Sequence, residues 1–259
     1  MANRTALQTF GRSGNPMFRS NAFQPDATFD ETDSTQRMTL AGAINKTGIL
    51  LVLCLVSAGY VWNRFFQSSE PAAVNGLMML GLLGGFIMAM VTVFKRQWAG
   101  LTAPAYALLQ GLALGGISAM FELQYPGIVI QAVGLTFGTL AVMLLAYKTG
   151  LIKPTENFRF MIVAATGGIA VLYLVSFVMS FFGTSIGFIH SNGLFGIGFS
   201  VFVVAIAALN LVLDFDFIEA GAEQGAPKYM EWYGAFSLMV TLVWLYLEIL
   251  RLLAKLRSR

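Results

Sequence analysis

The chain has 259 residues, of which 57% are hydrophobic and 11% charged, against about 25% charged in an ordinary soluble domain. That balance excludes a soluble helical fold, whose helices each need a charged outer face. A formal net charge of +3, scattered along the chain, does not fit a nucleic-acid-binding protein.

Met1–Lys46 is a polar tail rich in Asn, Ser, Thr and Arg, with turns marked at Asn15-Pro16 and Gln24-Pro25. It holds no apolar core of the kind a cleaved signal peptide carries. The first apolar stretch is therefore expected to serve as the insertion signal. Disorder is expected to about residue 36, followed by a helix leading into that stretch. Seven long apolar stretches then fill the chain: Thr47–Phe66, Ala73–Phe94, Thr102–Phe121, Gly127–Lys148, Arg159–Phe182, Gly193–Asp214 and Tyr233–Leu253. A helix rises ~1.5 Å per residue, so ~20 apolar residues cross a hydrocarbon core of roughly 30 Å. The stretches lack the period-two alternation of barrel strands, and helices remain as the way to satisfy the backbone in lipid. The expected fold is an all-α membrane protein: a seven-transmembrane-helix bundle over residues 47–259, preceded by a polar, partly disordered N-terminal tail over 1–46.

The Lys/Arg bias of the loops sets the orientation. With the tail inside, the inner loops carry Arg37, Lys46, Lys95, Arg96, Lys148, Lys153, Arg159 and Lys228, whereas the outer loops carry Arg64 and His190. A cytoplasmic amino terminus is expected, in a multi-pass protein compatible with a bacterial inner membrane. Lys255, Arg257 and Arg259 follow the seventh stretch. They lie outside if it crosses and inside if it re-enters; crossing is favoured because earlier spans usually dominate orientation. Tyr60, Trp62, Trp98, Tyr125, Trp232 and Tyr233 fall near the expected interfaces as an aromatic belt. Gly81 and Gly85, Gly111 and Gly115, and Gly134 and Gly138 repeat small residues at four-residue spacing, which lets helices approach closely in lipid.

No hydrolase, kinase or zinc signature is visible, and His190 is the only histidine. No catalytic residue, metal site or cofactor is expected, and the chain is not expected to be an enzyme. Intramembrane hydrolysis would need paired aspartates on facing helices or a Ser–His arrangement. Cys54, the only cysteine, reads as a small packing residue and rules out an intramolecular disulfide. The candidates are ionisable residues that lipid makes costly. Asp214 and Asp216 are two apart at the end of the sixth stretch, so on a helix they point to nearly opposite sides. Asp214 is deeper and is the better candidate for an interior position, with Asn210 one turn before it. The other reading is that both mark where the helix leaves the membrane. Glu219 follows and would add negative charge at the inner mouth. Glu248 and Arg251 are three apart and able to pair on one helix face, either stabilising a helix end or forming a gate. Gln110, an intramembrane amide beside Gly111, either hydrogen-bonds across helices or packs as glue.

Together these pieces resemble the Bax inhibitor-1 family, in its bacterial YccA-like branch. Ser13-Gly14-Asn15-Pro16 with Phe23 is similar to the Ser-Asn-Pro start of a bacterial subgroup, and Met38-Thr39-Leu40 through Lys46-Thr47 resembles its approach to the first span. The run from Tyr106 to Ser118 resembles the family's third-span motif, and Leu213-Asp214-Phe215-Asp216 falls where a Tyr-Asp-Thr-Gln-like motif is common. The resemblance implies a seven-helix bundle with the last helix near its centre and, in characterised members, a pH-sensitive calcium leak. It also implies that Asp214 is the sixth-span member of a hydrogen-bonded aspartate pair. Two positions depart from the pattern: Gln110 stands where the family usually has Glu, and the family's seventh-span aspartate falls near Leu238 and Met239, with no carboxylate until Glu248.

The functional expectation is a multi-pass protein of Bax inhibitor-1 type acting as a pH-sensitive calcium or cation leak, with Asp214, Asp216, Glu219, Glu248 and Gln110 as ion- or proton-sensing candidates. Its partners would be the lipid bilayer and a cation. The alternative is a non-conducting interaction protein that modulates a membrane protease or stress-response assembly, motivated by the long tail, with another membrane protein as partner.

Overall fold

A computed structural model describes residues 36–68, 74–183 and 193–258. They form α1 (Leu40–Gln67), α2 (Asn75–Phe94), α3 (Ala99–Gln124), α4 (Ile128–Lys148), α5 (Glu156–Phe181), α6 (Leu194–Glu223) and α7 (Met230–Arg257). A 3-10 turn at Arg96–Trp98 leads into α3. All seven helices are long and apolar enough to cross a membrane. The chain is thus an all-α, multi-pass membrane protein, as its hydropathy implies. The tail expected to be disordered up to about residue 36 lies outside the described residues, apart from Gln36 itself; His190 and Arg259 also lie outside them.

Helix ends depart from the apolar stretches because caps and tertiary partners, not hydropathy, set them. α1 starts seven residues before Thr47, where Thr39 takes the N-cap and its hydroxyl accepts from the Gly42 N–H at 3.0 Å. α5 starts at Glu156, capped by Thr155, which accepts from the Phe158 N–H at 3.3 Å. α6 does not stop at Asp214 but runs to Glu223, with Phe215, Phe217 and Ile218 buried along the extension. α7 runs through Lys255 and Arg257, so these two residues belong to the seventh helix and do not follow it. The Glu122 carboxylate caps α4 from the end of α3, accepting from the Gly127 and Val129 N–H groups at 2.5 and 3.1 Å.

The chain divides into two compact units. The first comprises residues 23–129 and 217–240. In it α1 and α2 pack on α3, and glycines permit the approach. A side-chain carbon at Gly111 would overlap the Ser57 hydroxyl and the Cys54 carbonyl, and one at Gly115 would overlap the Ala58 carbonyl. A side-chain carbon at Gly81 would lie 2.5 Å from the Leu109 carbonyl oxygen of α3. Gly134 and Gly138 differ: nothing lies within 4 Å of a side-chain carbon built there. Their spacing therefore does not mark a helix contact among the described residues. Cys54 is buried in this packing.

The same unit holds a buried charge junction. The Glu231 side chain, 1% exposed at the start of α7, is paired with Lys46 of α1 and with Lys228 at 2.8 Å. It also accepts from the Thr39 N–H and the Thr39 hydroxyl, both at 2.8 Å. A side-chain carbon at Gly42 would overlap the Glu231 carboxylate, so a larger residue there would displace it. Main-chain bonds continue the join: Met38 N–H donates to the Ala226 carbonyl at 2.6 Å, and Lys228 N–H donates to the Gln36 carbonyl at 2.8 Å.

The second unit comprises, of the described residues, 130–216 and 241–258. Ile162 and Ile169 of α5 and Val203, Ile206 and Leu213 of α6 form its core, with Trp244 of α7 packed against them. Phe160, Leu174 and Phe177 leave an apolar outer side on α5, which suits contact with lipid.

Removing one member of a buried charge pair strands the other, at a cost of about 3–5 kcal/mol. Glu231→Ala is expected to lower stability by that order and to depress the thermal midpoint in detergent, followed by circular dichroism. Lys228→Ala, at a half-exposed position, is expected to cost under about 1 kcal/mol.

Candidate functional site

The second unit holds buried polar and charged side chains on α4, α5, α6 and α7. On α6, Gly196, Ser200, Val203, Ala207, Leu211 and Asp214 are all buried. Their spacing of three and four residues makes them one helix stripe. Asp214 sits at one end of that stripe, 3% exposed. Asp216, on the other side of the helix, lies 2.6 Å from Arg159 of α5, in a pair that is partly open to solvent. Its charge is therefore offset locally and adds little net negative charge at that end.

One α6 turn before Asp214, the Asn210 amide donates to the Thr166 hydroxyl of α5 and to the Ile206 carbonyl, each at 2.8 Å. A second group lies further along the unit. Glu248 of α7, 2% exposed, accepts from the Tyr173 hydroxyl of α5 at 2.9 Å and from Arg251 at 2.9 and 3.1 Å. Arg251 also donates to the Tyr173 hydroxyl at 2.9 Å and lies over its ring at 5.3 Å. One turn on, the buried Lys255 ammonium donates to the Gly196 carbonyl at 3.0 Å and to the Ser200 hydroxyl at 2.8 Å.

These bonds fix the levels of the helices. Arg159 meets Asp216 and Thr166 meets Asn210, so α5 and α6 run antiparallel. Lys255 meets Ser200, and α7 is antiparallel to α6. Counting fourteen residues on from Ser200 reaches Asp214, and fourteen back from Lys255 reaches Thr241. Counted from the Lys255–Ser200 bond, the α7 position that corresponds to Asp214 is Thr241, a buried threonine and not a carboxylate. Glu248 sits seven residues away from that level, about 10 Å along the axis.

A family model described as Bax inhibitor 1 like matches residues 15–258. The chain belongs to the Bax inhibitor 1 like family. No curated protein and no solved structure matches it.

In this Bax inhibitor 1 like chain the candidate residues separate. Asp214, Asp216 and Glu248 lie in the second unit. Glu219 is exposed and belongs to the first. Gln110 also belongs to the first unit, where its amide oxygen would lie 3.0 Å from a side-chain carbon built at Gly85. Among the described residues no group of three or more His, Cys, Asp or Glu side chains is placed to hold a metal ion. Tyr173, Lys255, Lys46 and Glu231 were not singled out by sequence. For Lys255 a signal existed: it follows Glu248 by seven residues, the spacing that returns to one helix face.

A hydrogen bond to a charged group contributes about 1.5–3 kcal/mol, so Tyr173→Phe is expected to destabilise the protein by that order. Arg251→Met, which strands the buried Glu248 carboxylate, is expected to cost more, about 3–5 kcal/mol. Denaturation in detergent micelles measures both; equal stability of Arg251→Met and the parent would show that Glu248 gains nothing from the pair.

Proposed function

We propose that the chain is a slow cation leak, with calcium as the cation favoured, and that the ion moves through the interior of α5, α6 and α7. The observation that carries this reading is Asp214, a carboxylate held at 3% exposure on a membrane-length helix. Such groups are expensive in lipid surroundings and default to functional roles. Hard cations take oxygen ligands. The same unit offers hydroxyl, amide and carboxylate oxygens at Thr166, Asn210, Thr241, Tyr173, Glu248 and Ser200. Family membership supports the leak through the calcium permeability that the resemblance implies. The reading assigns no catalysis. It takes the tail to be cytoplasmic, on the Lys/Arg bias of the loops, and the membrane to be a bacterial inner membrane.

A second reading, an interaction protein that modulates a membrane protease or stress-response assembly, draws on the junction at Gln36–Thr39. There the tail meets the main-chain bonds and the Glu231 carboxylate that fix the start of α1. Deleting residues 1–36 should then abolish co-purification of a membrane partner while leaving leak unchanged.

Calcium flux into liposomes containing the full chain tests the first reading. Asp214→Asn is expected to change the rate by about tenfold, the scale of ~1.4 kcal/mol. Equal rates across pH 6 to 8 would remove Asp214 from the mechanism.

A further inference from the structure

Lysines near the end of a membrane helix ordinarily extend the ammonium toward water. Lys255 does the opposite. It is 6% exposed, and it donates buried hydrogen bonds to the Gly196 carbonyl and the Ser200 hydroxyl. A main-chain carbonyl and a hydroxyl are the ligands that a hard cation would take. The ammonium therefore sits as a cation sits, on oxygens, but joined to the chain by its own side chain.

Its position matters as much as its ligands. Gly196 and Ser200 belong to the buried α6 stripe that ends at Asp214. The fourteen residues from Ser200 to Asp214 correspond to about 21 Å of helix. The charged side chains flanking Lys255 on α7 are Arg257, two residues on, Arg251, one turn earlier, and Glu248, two turns earlier; Arg251 and Glu248 are bonded to each other, and Arg257 donates to the Gln131 side chain. Together with Lys255 these side chains carry a net positive charge, so this end of the stripe repels a mobile cation that the Asp214 end attracts.

We propose that the Lys255 ammonium is a tethered cation that occupies the oxygen ligands at the far end of the Asp214 stripe and blocks calcium and other mobile cations there. The proposal rests on the cation-leak reading and names its restraint. A leak built this way is slow because one of its ion positions is already filled.

The test uses calcium flux into liposomes containing the full chain in a Cys54→Ala background, with Lys255→Cys added. Lys255→Cys removes the ammonium and is expected to raise flux by about tenfold or more, since a like charge is withdrawn from a partly desolvated position. Treatment with 2-aminoethyl methanethiosulfonate attaches an ammonium to the new thiol and should return flux to near the parental rate. Methyl methanethiosulfonate, which adds a neutral group, should not. Lys255→Gln, assayed alongside and checked for helicity and elution, serves as the second variant. Flux at or below the parental rate in both variants overturns the proposal, as does equal closure by the charged and neutral reagents. Adding Asp214→Asn separates the two readings. Flux that Lys255→Cys opens and Asp214→Asn leaves unchanged keeps the plug and removes the role of Asp214. Parental leak that needs Asp214 but does not rise with Lys255→Cys removes the plug alone. No flux above that of protein-free vesicles in any variant overturns both.

Discussion

A charge carried into a hydrocarbon layer must find its partners within the protein, because lipid supplies none. That constraint organises both units. In the first, the Glu231 carboxylate collects two ammonium groups, a hydroxyl and a main-chain N–H. In the second, Glu248 takes the Tyr173 hydroxyl and the Arg251 guanidinium, and Lys255 takes a carbonyl and a hydroxyl. Each cluster joins helices that apolar contacts alone would leave able to slide, since lipid tails compete with apolar side chains on equal terms.

The clusters differ in what they achieve. The Glu231 junction satisfies its carboxylate on several sides and fixes the start of α1 against the start of α7. Its work is mechanical. The second unit spreads its polar groups along the helix axis, with Asp214 at one end and Lys255 at the other. Opposite charges at opposite ends of one buried stripe polarise it. Between them the stripe is apolar at Val203, Ala207 and Leu211, and a bare cation finds few ligands along that length on α6 itself. Oxygens from α5 and α7, at Thr166 and Thr241, flank the interval.

The sequence made the seven helices readable because about twenty apolar residues in a row have few other uses. Asp214 was readable for the same reason: an acid inside such a run is conspicuous. What escaped were features set by residues far away in the chain. The start of α1 depends on Thr39 and on Glu231, nearly two hundred positions later. Gly111 and Gly134 look alike in the sequence, yet one faces another helix's backbone and the other faces open space; the difference lies in the neighbour. Lys255 was assigned beyond the seventh span because a charge reads as the end of an apolar run. Acceptors on α6, distant in sequence, hold it inside the fold.

The dependence of α1 on Glu231 also bears on how the protein is made. α1 leaves the ribosome well before Glu231, so the Thr39 N–H, its hydroxyl and the Lys46 ammonium wait through the synthesis of five further helices. During that interval the start of α1 can be satisfied only by water or by lipid headgroups. α1 is therefore anchored only after α6 has been made, and emergence of the Glu231 segment, not insertion of α1, is the step that fixes its start.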